Sequence, residues 1–410
     1  MKAAVILLLL TGITNADTPP ERTPITLGEA IAAIRRAPHA AVPAFEIAAA
    51  EANVDAAGAW PNPALRVGTN RLTARLTAGA SLPLPVFGTV QAARRHASAE
   101  ADVIRAQAHL ELRALRHRVV QAWIELARAD SAVVTASIAA QHAAELELIA
   151  NGRKTSGVGA DVDVTAAHAA KARAEVEVAT SQRELDAASA ELAGLLGWDP
   201  SRPLRAAGGL DTGSAAALAA LRGRLLAHPE HVLAKDRVTA AEANVREVLS
   251  ERWPHVAVEA ELLYDDRSMT EGSTAWQRTD AAVGVTLELP IFARVGDKAR
   301  AARAQEAAEK ARLVAIDAEL AAGLFATYRR WQAATEKLDA LVRDVLPAQE
   351  RAAALSAQAF REGARDLASA LQAQRDLAAV NAELNAARAN AAAAFADLQL
   401  ATGDEVGRAR

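Results

Sequence analysis

Apolar and polar residues alternate along this chain with two different periods, and the change from one to the other is abrupt. Over residues 76–84, Leu76, Ala78, Ala80, Leu82 and Leu84 alternate with Thr77, Gly79 and Ser81, the period of a strand with one apolar face. The next stretch, 89–151, holds neither glycine nor proline. It is alanine-rich and sets Leu112, Val119, Leu126 and Val133 seven residues apart, which predicts a coiled-coil helix roughly 95 Å long at ~1.5 Å per residue. The glycines of "NGRKTSGVGAD" reverse the chain, and a return helix runs to Leu196 with Val178, Leu185 and Leu192 again in heptad spacing.

The whole pattern occurs twice. "AAEANV" stands at 49–54 and again at 240–245, Trp60-Pro61 matches Trp253-Pro254, and Leu84, Pro85 and Phe87 match Leu289, Pro290 and Phe292. Further on, Gly157 matches Gly363 and Gly197 matches Gly403, while Leu377, Leu384, Ala391 and Leu398 repeat the heptad. The offset changes almost entirely in one place, between the Trp-Pro and Leu-Pro landmarks, as one insertion in the second hairpin's polar loop, "DDRSMTEGSTAWQRT". We read a tandem duplication. Repeat 1 spans 26–203, with a helix, a β-hairpin at 62–86, a long helix at 88–151 and a return helix at 160–197. Repeat 2 spans 214–403, with a helix, a hairpin at 254–291, a long helix at about 296–361 and a return helix at 366–402. Residues 17–25 and 204–213 are predicted linkers and 404–410 a tail. Thr26 and Glu29 have the spacing of a capping box, and the helix they open is expected to reach Gly58, broken or kinked at Pro38 and Pro43.

In the second hairpin Val256, Val258, Ala260 and Leu262 face Val283, Val285, Leu287 and Leu289. Isolated two-stranded hairpins are marginal in water and leave their edges unpaired. Strands with one apolar and one polar face suit a lipid-facing barrel, and four strands are too few to close one. Several copies of the chain therefore have to pool their hairpins, with the helices continuing the barrel as a tube. Pro83, Pro85 and Pro290 are expected to mark where pairing ends. Trp60, Phe87, Trp253 and Phe292 are expected at the membrane interface, the alternative being ordinary core aromatics.

Composition narrows the class. Aromatics make up 3% of the chain, so close packing through small residues is expected in place of a core of large side chains. A formal charge of -4 with no sustained basic block gives no footprint for nucleic acid. The chain has no cysteine, which excludes disulfides and thiolate chemistry. Residues 1–16, with Lys2 ahead of the apolar run Ala3–Leu10 and small residues to Ala16, read as a signal peptide. The nine histidines are expected as scattered surface residues with no metal-spaced set. No catalytic motif and no cofactor site emerge, so the chain is not expected to be an enzyme.

On the duplicated plan, on "LPLPVFG" at 82–88, and on the turn motifs "GVGADVDV" from Gly157 and "GARDLASAL" from Gly363, the chain resembles the TolC family of outer-membrane efflux ducts. The resemblance implies a mainly α fold with a small β part: a trimeric α-helical tube continued by a 12-stranded transmembrane β-barrel in the outer membrane of a Gram-negative bacterium, its helical part in the periplasm. It implies a homotrimer that contacts outer-membrane lipid and docks on a periplasmic adaptor (a membrane fusion protein) serving an inner-membrane transporter. Carried over by position, Asp163 and Arg365 match the family's periplasmic tip lock. Asp161 and Asp366 add acidic groups at the gate, Ser369 stands where the family usually has aspartate, and Gly157, Val158, Gly159, Gly363 and Ala364 match the adaptor-docking turns. "LPLPVFG" followed by "AARR" is similar to the branch serving heavy-metal exporters of the cobalt-zinc-cadmium type. Ducts for drug or protein export are the alternative. A periplasmic coiled-coil adaptor or scaffold is the competing reading; it explains the heptads and secretion and leaves the hairpins unexplained.

Overall fold

Thr26 starts the helical part of the chain. Its hydroxyl accepts the Glu29 N–H, and the Glu29 carboxylate accepts the Thr26 N–H at 2.8 Å, the reciprocal capping box that opens α1 (Leu27–Ala33). The computed structural model describes residues 22–70, 75–266 and 277–407. The predicted signal peptide and most of the second hairpin's inserted loop lie outside the described residues. The helix expected from Thr26 to Gly58 is two: Ala37, held extended ahead of Pro38, separates α1 and a short 3₁₀ turn from α2 (Pro38–Ala57). Pro43 lies inside α2.

Six further α-helices build the long paths: α3 (Thr89–Thr155), α4 (Asp161–Leu196), α6 (Pro229–Ser250), α7 (Val295–Ala340), α8 (Leu346–Arg361) and α9 (Leu367–Thr402), with a short α5 (Leu218–Arg222) after the joint. α3 alone has 67 residues, about 100 Å of rise. The second long path is interrupted. Pro347 has no N–H for the carbonyl one turn back, and Leu341–Val345 widens into a π-helical turn just before it.

The main core lies midway along the bundle. Leu115, Val119, Trp123 and Leu126 of α3 meet Leu185, Leu192 and Leu196 of α4, while Ala389, Ala392 and Ala396 let α9 approach closely. Segments expected as linkers contribute to it. β1 (Thr23–Ile25) pairs in parallel with β4 (Leu204–Ala206), Trp123 Nε1 donates to the Ile25 carbonyl at 3.0 Å, and the Leu204 N–H donates to Ser189 Oγ at 2.7 Å. The segment after α9 also packs: Val406 is fully buried and its carbonyl accepts from Arg116 Nε at 2.5 Å.

His39, His109, His168 and His255 are exposed, as expected of scattered surface residues, but four other histidines depart from that expectation. His228 is 4% exposed; its Nδ1 accepts the Glu230 N–H at 3.2 Å and its Nε2 donates to the Leu400 carbonyl at 3.2 Å. His96, His117 and His231 bridge helices to Glu247, Asp397 and Asp317 at 2.6, 2.7 and 2.6 Å. A histidine with one ring nitrogen for a helix cap and the other for a carbonyl is satisfied inside a core, which spacing alone does not show.

Candidate functional site at the two ends of the bundle

At one end the two hairpins form a single antiparallel sheet in the order β2-β3-β5-β6, where β2 is Ala64–Asn70, β3 Arg75–Leu84, β5 His255–Asp266 and β6 Gln277–Glu288. Register aligns Val67 with Ala78, Ala78 with Leu262, and Leu262 with Ala281. One row higher, Leu65, Ala80, Ala260 and Val283 line up in the same way. Side chains alternate faces along a strand, so one face is apolar across all four strands and the other carries Arg66, Ser81, Glu259, Glu261 and Asp280. The apolar face is bare within the chain: Leu65, Val67, Val283 and Val285 are 81, 78, 81 and 70% exposed. Among the described residues β2 and β6 each pair on one side only.

Pro83 lies inside the β3–β5 ladder opposite Ala257, not at its end as expected. The β2 partner has already stopped at Ala64↔Ser81, so β3 has a single neighbour there and a missing N–H is tolerated. Pro85 and Pro290 follow the ends of β3 and β6. Phe87 and Trp253 stack, 5.4 Å between centroids and 10° between planes. Trp60 and Phe292 stand exposed, Phe292 at 93%.

At the other end the two inter-helix turns have the same backbone design. Gly157 and Gly363 take φ of 75° and 79°, a left-handed conformation that closes a helix with little strain only for glycine. After each, a pair of N–H groups returns to one carbonyl: Val158 and Gly159 to Arg153 at 3.0 and 2.9 Å, Ala364 and Arg365 to Ala359 at 2.8 and 3.2 Å. A Cβ on Gly159 would come within 2.7 Å of the Lys154 nitrogen, so that turn admits only glycine there.

The predicted gate residues divide. Asp161 pairs with Lys154 at 2.6 Å. Asp366 caps α9, and the hydrogen bonds from the Ser369 hydroxyl and N–H hold its carboxyl below the usual carboxylate range. Asp163 and Arg365 form no ion pair within the chain among the described residues. What joins the turns is a residue that sequence reasoning passed over. Arg153, in the last turn of α3, donates Nη1 to the Phe360 carbonyl at the end of α8 and lies 4.9 Å from the Phe360 ring centroid. Around it Leu146, Ala150, Ala167, Phe360, Leu367 and Leu371 form a small core. The signal was present as a basic residue in a helix's last turn, where it complements the dipole, but its partner lies 207 positions away. Behind this core Glu147 accepts from His168 at 2.7 Å and from Lys171 at 3.1 Å, in that order of weight, which lowers its pKa.

A family model described as outer membrane efflux protein matches residues 32–198 and 225–404, one segment in each repeat. The chain belongs to the outer membrane efflux protein family. This efflux protein is therefore a channel of the Gram-negative outer membrane with its helical part in the periplasm. The family is one of passive channels. Solved structures share its fold. The outer-membrane channel OprN is 22% identical with a TM-score of 0.74, over 92% of this chain and 89% of that one. CusC, described as forming a transmembrane channel, is 16% identical with a TM-score of 0.76, over 92% of each chain. The outer membrane protein VceC from Vibrio cholerae is 18% identical with a TM-score of 0.74, over 93% and 96%. At these identities the likeness establishes the fold alone. No curated protein matches the efflux protein. Among its described residues no helix is long and apolar enough to cross a membrane, and no group of His, Asp or Glu is placed to hold a metal.

Proposed function

We propose that the chain is the exit duct of a tripartite exporter, acting as a homotrimer whose three four-stranded sheets close into one 12-stranded barrel. The observation that carries this reading is the sheet: an apolar face continuous across four strands, bare in the single chain, between two edges that lack partners. Lipid covers such a face, and pairing β6 of one copy with β2 of the next removes both edges. The tube would pass substrate from an inner-membrane transporter through a periplasmic adaptor docked on the turns around Gly157, Val158, Gly159, Gly363 and Ala364. Asp163 of one repeat and Arg365 of the other, without an ion pair among the described residues, would meet across copies as the tip gate, with Asp161 and Asp366 beside them. Exposed pairs of this kind contribute ~0–1 kcal/mol each, little enough for adaptor docking to open them.

Heavy-metal cations are the cargo we favour, supported by "LPLPVFG" with its basic follow-on and by Asp366 at the tip, which has no basic ion-pair partner among the described residues and favours cations. The chain has no native cysteine, so introduced pairs report directly. Cysteines scanned along β2 and β6 should cross-link only between copies and give a trimer. A ladder that stops at the monomer would end the barrel proposal. For cargo, deletion of the gene should sensitise cells to zinc, cobalt or cadmium; sensitisation to drugs alone would assign the duct to drug export.

A further inference from the structure

All four crossings between sheet and helices lie at one end of the sheet: α2 leads into β2 at Ala64, β3 leaves at Leu84 toward α3, α6 leads into β5 at His255, and β6 leaves at Glu288 toward α7. Directly beyond this end the chain carries arginines. Arg94 and Arg95 lie in the second turn of α3, Arg252 between α6 and β5, and Arg294 at the N-cap of α7. All four are exposed, and none has a carboxylate partner among the described residues. Three carboxylates of the same level are engaged elsewhere, Glu251 with Lys298 at 2.6 Å, Asp297 with Arg300 at 3.1 Å and Glu247 with His96 at 2.6 Å, and the exposed Glu288 at the end of β6 forms no ion pair with these arginines among the described residues. The pair Arg94-Arg95 is the "AARR" stretch of the sequence.

Two of these arginines adjoin an exposed aromatic ring. The Arg252 guanidinium stands 5.2 Å from the ring centroid of Trp253, which stacks on Phe87, and Arg294 follows two positions after Phe292. Along the molecule the order is apolar sheet face, aromatic rings, then unneutralised guanidinium groups. That is the order in which a bilayer leaflet presents acyl chains, interface and phosphates. Guanidinium suits the last of these because its planar fork gives two parallel N–H donors to a phosphate.

We propose that Arg94, Arg95, Arg252 and Arg294 form a basic collar that binds the headgroups of anionic phospholipids in the periplasmic leaflet of the outer membrane. The collar fixes the depth of the channel and the rotation of the helices emerging from it. This inference rests on the outer-membrane location, not on the cargo.

The test uses the full chain reconstituted in vesicles of phosphatidylcholine with phosphatidylglycerol, and native mass spectrometry of the lipid it retains. The wild-type chain should retain phosphatidylglycerol in preference. R94Q/R95Q/R252Q/R294Q should weaken that preference at least ~ten-fold, the four Arg→Lys replacements should keep most of it, and R183Q/R330Q/R351Q, on the exposed lower helices, should leave it unchanged. Unaltered retention in the quadruple Gln variant would overturn the proposal, as would an equal loss in the lower-helix variant. So would unaltered retention coupled to reduced anion conductance, which would put the collar inside the duct. Should the Gln variant fail to assemble, wild-type retention decides: a preference that does not weaken between about 0.05 M and about 0.5 M salt, where charge attraction is screened, also overturns it.

Discussion

Arg153 and Phe360 stand 207 positions apart, and the guanidinium of the first both caps the carbonyl and covers the ring of the second. With the ion pair between Arg361 and Glu145 at 2.6 Å, it ties the lower part of one repeat's long helix to that of the other. Arg153 Nε is buried with no partner of its own, so the contact is held by the carbonyl and the ring. Replacing Arg153 with Gln should cost about 1–3 kcal/mol, the range for a charge-assisted hydrogen bond with a cation–π contact. Hydrogen exchange should speed up at residues 362–367. Unchanged exchange there would mean that the turns are held by their apolar core alone.

The two turns differ in one glycine. Gly157→Ala meets open space and costs only the left-handed conformation, about 1–2 kcal/mol. Gly159→Ala drives a methyl into the backbone at Lys154 and Arg153 and should destabilise more. Thermal unfolding of the two variants ranks them, and the reverse order would refute the turn geometry described here.

Tryptophans report membrane depth. Trp253 and Trp60 are exposed near the sheet, whereas Trp123 and Trp331 donate to the carbonyls of Ile25 and Thr212 at 3.0 Å each. In single-tryptophan variants, brominated lipid should quench fluorescence from Trp60 and Trp253 and spare Trp123 and Trp331. Equal quenching at all four positions would contradict a membrane boundary at the sheet's end.

A charge on either face of the sheet tests which face meets lipid. Val283→Arg should impair assembly by about 2–4 kcal/mol, the range for arginine near mid-bilayer, while Thr286→Arg, on the opposite face, should be tolerated. Heat-dependent migration in detergent gels measures both.

His228 gives the fold a pH dependence. Burial pushes its pKa below the ordinary histidine value, so the unfolded chain takes up a proton before the folded one does. Stability from this residue is complete above about pH 6.5 and falls as pH drops through the lowered folded-state value. His228→Gln should flatten the stability profile in that window, and an unchanged slope would remove His228 as its source.

Local patterns made part of this molecule readable in advance. A mainly helical fold with a small sheet follows from periods two and seven, because each needs only neighbouring residues to agree. The capping box at Thr26 and Glu29 is equally local. Arg153 was hidden because its partner is distant, and His228 because a buried histidine with both nitrogens satisfied has the same spacing as an exposed one. Pro347 marks a break within the long helix read at about 296–361, but a proline alone does not show that the turn before it widens to a π-helix. β1 and β4 lie in segments that read as linkers, because three residues are too few to show a period.

That short parallel pair has a consequence for how such a protein could arise. β1 precedes the first repeat and β4 follows it, so the first repeat begins and ends at the same place. A module closed on itself in this way can be copied head to tail with a joint of a few residues and no rebuilding of its interior. A half-length ancestor of the same plan would need twice as many identical subunits to supply the same number of strands.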